Sequence, residues 1–232
     1  MSRRTLVLGH RGDPFEHPEN TPPGFESAVA CGADGVELDV HLSADGVPVV
    51  IHDETLERTA AAASRVDALT WQELDGLGIG VPRLDAVLQA LREHTVAIEV
   101  KPPHAQHPRL AATVLDVVHG AGARDTWLLA FDHAHLAAAR NVDDRVRCAA
   151  LMRERPTDPL AVLDACGADA LALWWEHVDA SLCALLRDAG RDVIAWTVDG
   201  EDAAAALAEM GVLAAISNRP CPVAARLREA RD

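Results

Sequence analysis

Ionisable side chains cluster directly after the first apolar run of the chain. The segment GHRGDPFEHPENTPPGF, residues 9–25, follows Thr5-Leu-Val-Leu8 and places His10 beside Arg11. A histidine exchanges protons near neutral pH, and an arginine binds a phosphate or carboxylate through two parallel hydrogen bonds. The pair therefore predicts acid–base chemistry on an anionic group, at the end of a strand.

A second group of ionisable residues is predicted to converge across a β-hairpin. Asp45-Gly46 is typical of a two-residue turn. With that turn Asp39 lies opposite His52, and strand alternation puts Glu37 on the same face. The prediction depends on turn length, because one extra residue would turn His52 to the other face. The runs on either side of the turn are residues 35–42 and 47–52.

A third strand end adds a carboxylate and an amine. Alternation in the run 96–101 places Glu99 and Lys101 on one face, and Lys101 is the only lysine among 21 basic residues. Glu37, Asp39 and Glu99 form an oxygen donor set that suits Mg²⁺ or Ca²⁺. Two imidazoles, a cation site and two basic side chains on the phosphate are the groups that hydrolysis of a phosphodiester requires.

Strands and amphipathic helices alternate along the chain. Without the return arm of the hairpin, eight strands remain, each followed by a helix, which predicts an α/β fold: a (β/α)8 TIM barrel with an extra β-hairpin arm after strand 2. A doubly wound sheet is the alternative. The predicted strands are 5–9, 35–42, 47–52, 95–101, 126–131, 146–152, 170–174, 192–198 and 213–217, and the predicted helices are 22–31, 84–93, 108–119, 133–141, 159–166, 180–188, 201–209 and 222–229.

Composition limits the partners. The 232 residues are predicted to form a single domain, 1–232, and the formal net charge of −15 argues against nucleic acid or an anionic membrane as a partner. We expect no integral membrane segment and no signal peptide, and hence a cytoplasmic protein. Five cysteines without a CxxC pattern predict neither a disulfide framework nor a zinc site, and Cys31 and Cys183 are assigned to helix packing. The sequence leaves the oligomeric state open.

In order along the chain, these motifs resemble those of the glycerophosphodiester phosphodiesterase family. The match runs over about residues 5–220 and is specific in its combination of HRG, PENT, ELD and HD. The residues that carry it are His10-Arg-Gly12, Pro18-Glu-Asn-Thr21, Glu37-Leu-Asp39, His52-Asp53, Ile98-Glu-Val-Lys101 and Trp196-Thr-Val198.

The resemblance implies a TIM barrel and a metal-dependent cleavage of a small-molecule glycerophosphodiester to sn-glycerol 3-phosphate and an alcohol. It also implies a role for each matched residue. His10 and His52 would be the acid/base pair. Glu37, Asp39 and Glu99 would bind a divalent cation, Mg²⁺ or Ca²⁺. Substrate or phosphate would be bound by Arg11, Lys101, Glu19, Asn20 and Trp196.

The chain departs from the family pattern in three places. Ala130-Phe131 stands where members often have Ser-Phe, and Ser217-Asn218 stands where they usually have Thr-Asp. We expect neither departure to touch the acid/base or metal groups. The insertion at about residues 59–82 is shortened, which predicts a more open pocket and leaves the alcohol part of the substrate undetermined.

Several alternatives remain open at this point. Two alternatives are enzymes: a lysophospholipase D-type phosphodiesterase on a lipid, and a Schiff-base lyase using Lys101. The third is a non-catalytic phosphoester-binding barrel. Within the diesterase hypothesis, the nucleophile is water or a glycerol hydroxyl, and either histidine could be the base. Asp132-His-Ala-His135 is interpreted as a capped helix start, and His104 and His107 as loop residues.

Overall fold

Eight parallel strands close into a barrel, and one antiparallel strand lies outside the ring. The structure is a computed structural model, and it describes residues 4–60, 62–101, 110–123 and 125–229. The first and second strands pair, so the sheet is closed and the doubly wound alternative is excluded. The strands are β1 Leu6–His10, β2 Gly35–Leu42, β3 Pro48–Val50, β4 Thr95–Val100, β5 Asp125–Ala130, β6 Arg147–Met152, β7 Ala170–Trp174, β8 Asp192–Trp196 and β9 Ala214–Ser217.

Helices follow the barrel strands, largely where the apolar periodicity predicts them. Helix α7 shows why: Pro159 begins it, Asp158 accepts the backbone N–H of Ala161, and Gly167 ends it in the left-handed conformation. Two predicted helix positions, 108 and 109, lie outside the described residues, as do His104 and His107. The helices are α1 Pro22–Ala30, α2 Glu57–Ala60, α3 Trp71–Gly76, α4 Leu84–Ala90, α5 Leu110–Ala121, α6 Ala134–Val142, α7 Pro159–Cys166, α8 Ala180–Asp188, α9 Glu201–Met210 and α10 Pro220–Glu229.

Strand alternation divides the core into two layers. On β2, Val36, Leu38 and Val40 pack outward against the helices. On β4, Ala97 belongs to a separate cluster that fills the barrel interior. Glu99 lies two residues beyond Ala97 on the same strand, so alternation directs it inward at the carboxyl end of the barrel.

The hairpin between β2 and β3 has a register one residue away from the predicted one. The two-residue turn placed Asp39 opposite His52, and that prediction was wrong. Gly46 takes a φ of 79°, and the backbone N–H of Ser43 donates to the carbonyl oxygen of Val47, which leaves a three-residue loop. The observed pairs are Val40 with Val50, His41 with Val49, and Leu42 with Pro48.

His52 still lies close enough to Asp39 for their charges to interact. Strand β3 ends at Val50, and the next N–H, that of Ile51, donates to the carbonyl oxygen of Asp39 at 3.0 Å. The ring of His41 is buried, and its Nε2 lies 3.1 Å from the carbonyl oxygen of His52. These backbone contacts, rather than strand pairing, position His52.

A disulfide between Cys31 and Cys221 corrects the prediction that the cysteines form none. Their Cα atoms are 5.3 Å apart although 190 positions separate them in sequence. The bond joins the end of α1 to α10, two helices that become neighbours only when the barrel closes. The free cysteines among the described residues, Cys148, Cys166 and Cys183, are buried.

No helix in the described part of the chain is both long enough and apolar enough to cross a membrane.

We expect the double variant Cys31→Ser/Cys221→Ser to be less stable by about 2–4 kcal/mol, because the disulfide restricts the unfolded chain. The midpoint of thermal unfolding should fall by roughly 5–15 °C for a chain of this size. Reductant should lower the wild-type midpoint to the same value and leave the double variant unchanged. A wild-type midpoint that is insensitive to reductant would contradict the disulfide.

Candidate active site

Three buried carboxylates meet at the carboxyl ends of β2 and β4. Glu37, Asp39 and Glu99 each offer an oxygen, and these oxygens lie within 4.8 Å of one another. Parallel pairing sets Asp39 directly beside Glu99. Buried carboxylates that face each other repel strongly unless a cation lies between them. The structure thus brings together the predicted metal ligands, and their hard oxygen donors suit a divalent cation.

Burial and mutual repulsion make the three carboxylates unequal. Burial, followed by the charges of Asp39 and Glu99, raises the pKa of Glu37 well above its usual range. Burial and then the charge of Asp39 also raise the pKa of Glu99. Burial acts in the same direction on Asp39, but Lys101 and Arg11 outweigh it and hold the pKa of that carboxyl far below its usual range. Asp39 is therefore the permanent anion of the cluster.

Lys101 is the counter-ion of this cluster. Its Nζ lies 2.6 Å from Oε1 of Glu99 and 2.7 Å from Oδ1 of Asp39. Burial alone would lower the pKa of Lys101, but the charges of Asp39 and Glu99 raise it above its usual value. The amine is therefore protonated at neutral pH, and a protonated amine is not a nucleophile, which disfavours the Schiff-base alternative.

Arg11 connects the first strand to the carboxylates. Its Nε lies 3.3 Å from Oδ2 of Asp39, and its backbone N–H donates to Oε2 of Glu37 at 3.2 Å. Arg11 takes a φ of 56°, a left-handed conformation that costs a non-glycine residue about 1–3 kcal/mol. Gly12 follows at φ 93°, where a Cβ would lie 2.7 Å from the carbonyl carbon of Gly24. A glycine is thus required for this turn, which aims Arg11 into the site.

Glu19 and Asn20 hold other side chains of the site. The side-chain N–H of Asn20 donates to Oδ2 of Asp39 at 2.8 Å. Glu19 accepts from Arg11 at 3.1 Å and from Nη2 of Arg58 at 2.6 Å. Both residues engage protein partners, and their predicted contact with phosphate stays a prediction.

His10 is oriented by Asn218, a residue that was predicted not to contact the acid/base or metal groups. That expectation was wrong: Nδ1 of His10 lies 2.6 Å from Oδ1 of Asn218. Asp199 accepts the Asn218 side-chain N–H at 2.9 Å and its backbone N–H at 2.7 Å, which sets the amide so that its oxygen faces the ring. The Nδ1–H of His10 donates to this oxygen, so the proton-accepting nitrogen is Nε2, 3.8 Å from Oε2 of Glu37.

The environment of His10 keeps its ring neutral. Burial, followed by the charge of Arg11, lowers its pKa below the usual value. A neutral imidazole whose Nε2 carries no proton is prepared to act as a general base.

His52 has a carboxylate partner instead. Its Nδ1 lies 2.6 Å from Oδ1 of Asp53, and Oδ2 of Asp53 accepts from Nε of Arg58 at 2.6 Å. Through Arg58 and Glu19 this pair is linked to Arg11, so both histidines belong to one network. The sequence motifs predicted a role for His52 but none for Asp53 and Arg58, although Asp53 is part of the HD motif.

Trp196 lies on the other half of the rim. It ends β8, and its ring packs edge-on against Phe131 and Trp174, with centroids 5.6 Å apart in each pair. The structure therefore places Trp196 at the same end of the barrel as the carboxylates but on β8, a strand that adjoins neither β2 nor β4.

The segment Asp132-His-Ala-His135 forms the capped helix start that was predicted. Oδ1 of Asp132 accepts the backbone N–H of Ala134 at 3.1 Å, and Nε2 of His133 lies 3.1 Å from the carbonyl oxygen of Leu151. Among the described residues, the side chains that lie close enough together to bind a metal are the three carboxylates, and this segment is not part of that group.

Comparison with known proteins identifies the family. The model of the Glycerophosphoryl diester phosphodiesterase family matches residues 10–221. The chain belongs to this family. The match spans every residue of the site described above, from His10 to Asn218. The protein is therefore a phosphodiesterase of the glycerophosphodiester type.

Individual relatives match this chain over nearly its whole length. The glycerophosphodiester phosphodiesterase of Caldanaerobacter subterraneus subsp. tengcongensis is 27% identical over 231 residues, which cover 94% of this chain and 95% of the relative. The crystal structure of a glycerophosphodiester phosphodiesterase from Agrobacterium tumefaciens is 30% identical, with a TM-score of 0.83, covering 95% of this chain and 99% of that one.

A third structure shares the fold at lower identity. The phosphodiesterase of Oleispira antarctica, in complex with the product sn-glycerol-3-phosphate, is 22% identical with a TM-score of 0.87, and the match covers 97% of each chain. Its similarity confirms the TIM barrel.

We expect Asn218→Leu to lower kcat by roughly 10- to 100-fold, because His10 loses the acceptor that sets its ring and tautomer. Asn218→Asp should also lower kcat, because it would place a second carboxylate beside that of Asp199. An unchanged kcat in Asn218→Leu, with normal folding by circular dichroism, would contradict this role.

The raised pKa of Glu37 should make the stability of the metal-free protein depend on pH. The pKa of Glu37 in the folded protein lies above that in the unfolded chain. At pH values between these two pKa values the folded state binds more protons, so the free energy of unfolding falls as pH rises through that range. A divalent cation competes with the proton and should bind more tightly as pH rises. Thermal unfolding in EDTA, and calorimetric titration with Mg²⁺ or Ca²⁺ at several pH values, measure both effects.

The matched controls for this prediction are two Gln substitutions. Glu37→Gln should remove most of the pH dependence and weaken cation binding, whereas Glu26→Gln, at an exposed position on α1, should change neither. Equal cation affinity in Glu37→Gln and wild type would exclude Glu37 as a ligand.

Proposed function

We propose that the protein hydrolyses glycerophosphodiesters to sn-glycerol 3-phosphate and an alcohol, with a divalent cation and an acid/base pair of histidines. The observation that carries the proposal is that His10 and His52 each have Nδ1 hydrogen-bonded to a side chain, beside one buried carboxylate cluster. This leaves Nε2 of each ring for proton transfer. The product bound to the Oleispira antarctica phosphodiesterase supports the proposed product class.

The charges of the site suit a phosphodiester. Glu37, Asp39 and Glu99 carry three negative charges when ionised, and Arg11 and Lys101 carry two positive ones, so one negative charge is left over. With a divalent cation held by these carboxylates the sum would be positive, and the single negative charge of a diester would bring it to neutral. The residues therefore suit an anionic substrate when the cation is bound.

Different residues would hold the cation and bind the phosphate. When bound, the cation would be held by Glu37, Asp39 and Glu99 and would withdraw charge from the phosphate. Arg11 and Lys101 lie at the same carboxylates and would bind the phosphate oxygens. Mg²⁺ and Ca²⁺ both suit these donors, so the proposal specifies a hard divalent cation.

The different partners of the histidines support opposite roles for them in proton transfer. His10, neutral and with a free Nε2, takes the proton from the attacking hydroxyl. His52, whose ring is held by Asp53, gives a proton from Nε2 to the departing alkoxide. This arrangement serves a water nucleophile or a neighbouring glycerol hydroxyl equally well.

We expect His10→Ala and His52→Ala each to lower kcat by roughly 100- to 10,000-fold, which is the usual contribution of a general acid or base. Release of glycerol 3-phosphate from glycerophosphoglycerol and glycerophosphocholine measures the loss. His119→Ala, an exposed histidine at the end of α5, should retain full activity.

EDTA should abolish activity in the wild type, and added Mg²⁺ or Ca²⁺ should restore it. Full activity of protein treated with EDTA would refute the metal dependence. Comparable turnover of lysophospholipids would favour the lipid-directed alternative.

A further inference from the structure

Three aromatic rings and one arginine form a surface on the catalytic rim that the chemistry above does not use. Phe131, Trp174 and Trp196 follow or end β5, β7 and β8, and Trp196 contacts both other rings edge-on at 5.6 Å. Arg153 follows β6. We call these four residues the aromatic wall.

The aromatic wall and the carboxylates occupy opposite halves of one mouth. The carboxylates, Lys101 and His10 come from β1, β2 and β4, which adjoin one another in the ring, and the aromatic wall comes from the contiguous strands β5 to β8. Most of these residues end or follow their strands at the end where the barrel opens, and Glu37 is paired there with His10, the last residue of β1. The aromatic wall therefore faces the same barrel mouth as a phosphate bound at the carboxylates would.

Arg153 sits over the aromatic rings. Its guanidinium carbon is 5.9 Å from the ring centroid of Phe131 and 5.8 Å from that of Trp196. Within the part of the chain that the structure describes, no ion pair involves Arg153, whereas Arg155, two positions on, is paired with Asp179 at 2.7 Å. Among the described residues, the contacts recorded for the Arg153 guanidinium are with these two rings.

This arrangement disfavours a cationic substituent. Aromatic faces attract quaternary ammonium groups, but Arg153 already occupies the faces of Phe131 and Trp196, and like charges repel. A guanidinium offers several N–H donors to hydroxyl, carboxylate or phosphate oxygens. Glu176 is the acidic group bonded to the aromatic wall, and it accepts from Nε1 of Trp174 at 3.2 Å.

We propose that the aromatic wall is the subsite for the alcohol portion of the substrate, and that Arg153 makes it select neutral polyol or anionic alcohols over cationic amino alcohols. The proposal rests on the function proposed above. The rings contact the C–H surface of the polyol, and Arg153 donates to its oxygen atoms. Arg153 is thus a specificity-determining residue that takes no part in bond cleavage.

The test compares kcat/KM for glycerophosphoglycerol, with a neutral polyol, and glycerophosphocholine, with a quaternary ammonium. Wild type should prefer glycerophosphoglycerol by about 10-fold or more. Arg153→Gln should bring the ratio close to one, and Arg153→Glu should invert it. The matched control is Arg155→Gln, which removes an arginine from the same loop and should leave the ratio unchanged.

The proposal is overturned if the ratio is the same in wild type, Arg153→Gln and Arg153→Glu, or if the substitutions slow both substrates equally. These results differ from failure of the proposed function, in which the wild type cleaves neither diester. Calorimetric binding of the two diesters to His52→Ala, with and without Arg153→Gln, then decides the subsite without turnover. Preferential binding of glycerophosphoglycerol that depends on Arg153 supports it, and equal binding refutes it.

Discussion

The site depends on one electrostatic constraint, the crowding of three buried carboxylates at the ends of two adjacent strands. Glu37, Asp39 and Glu99 lie within 4.8 Å of one another, and such a group is stable only with cations around it. Lys101 supplies one positive charge from the position just after β4, and Arg11 supplies another from the position just after β1, which pairs with β2. Two positive charges do not balance three carboxylates. Burial, followed by the charges of Asp39 and Glu99, therefore raises the pKa of Glu37, and the site suits a divalent ion.

The two histidines are held by different chemical means. His10 donates to an amide that is itself fixed by Asp199, while His52 is bonded to a carboxylate that is paired with Arg58. An amide partner adds no charge to a ring already buried beside Arg11. A carboxylate partner places a negative charge next to the ring. This asymmetry gives a physical reason for the opposite proton transfers we propose.

Closure of the barrel brings the ends of the chain into the site. Asn218 follows β9, which pairs with β1, and it thereby reaches His10 from 208 positions away in sequence. The disulfide between Cys31 and Cys221 crosses the same junction on the outside of the barrel. The opposite half of the rim carries aromatic side chains and Arg153 instead of carboxylates, so the two halves of the mouth offer different surfaces to the two ends of a diester.

The sequence alone was sufficient for the barrel, most element boundaries and the carboxylate cluster, because these follow from local periodicity and from strand alternation. Tertiary structure decided the rest. The hairpin closes with a three-residue loop instead of a two-residue turn, which shifts its register, so His52 is positioned by backbone contacts that alternation does not predict. Asn218, Cys31 and Cys221 acquired partners only through ring closure. Such contacts join residues far apart in the chain, and no local pattern of residue types encodes them.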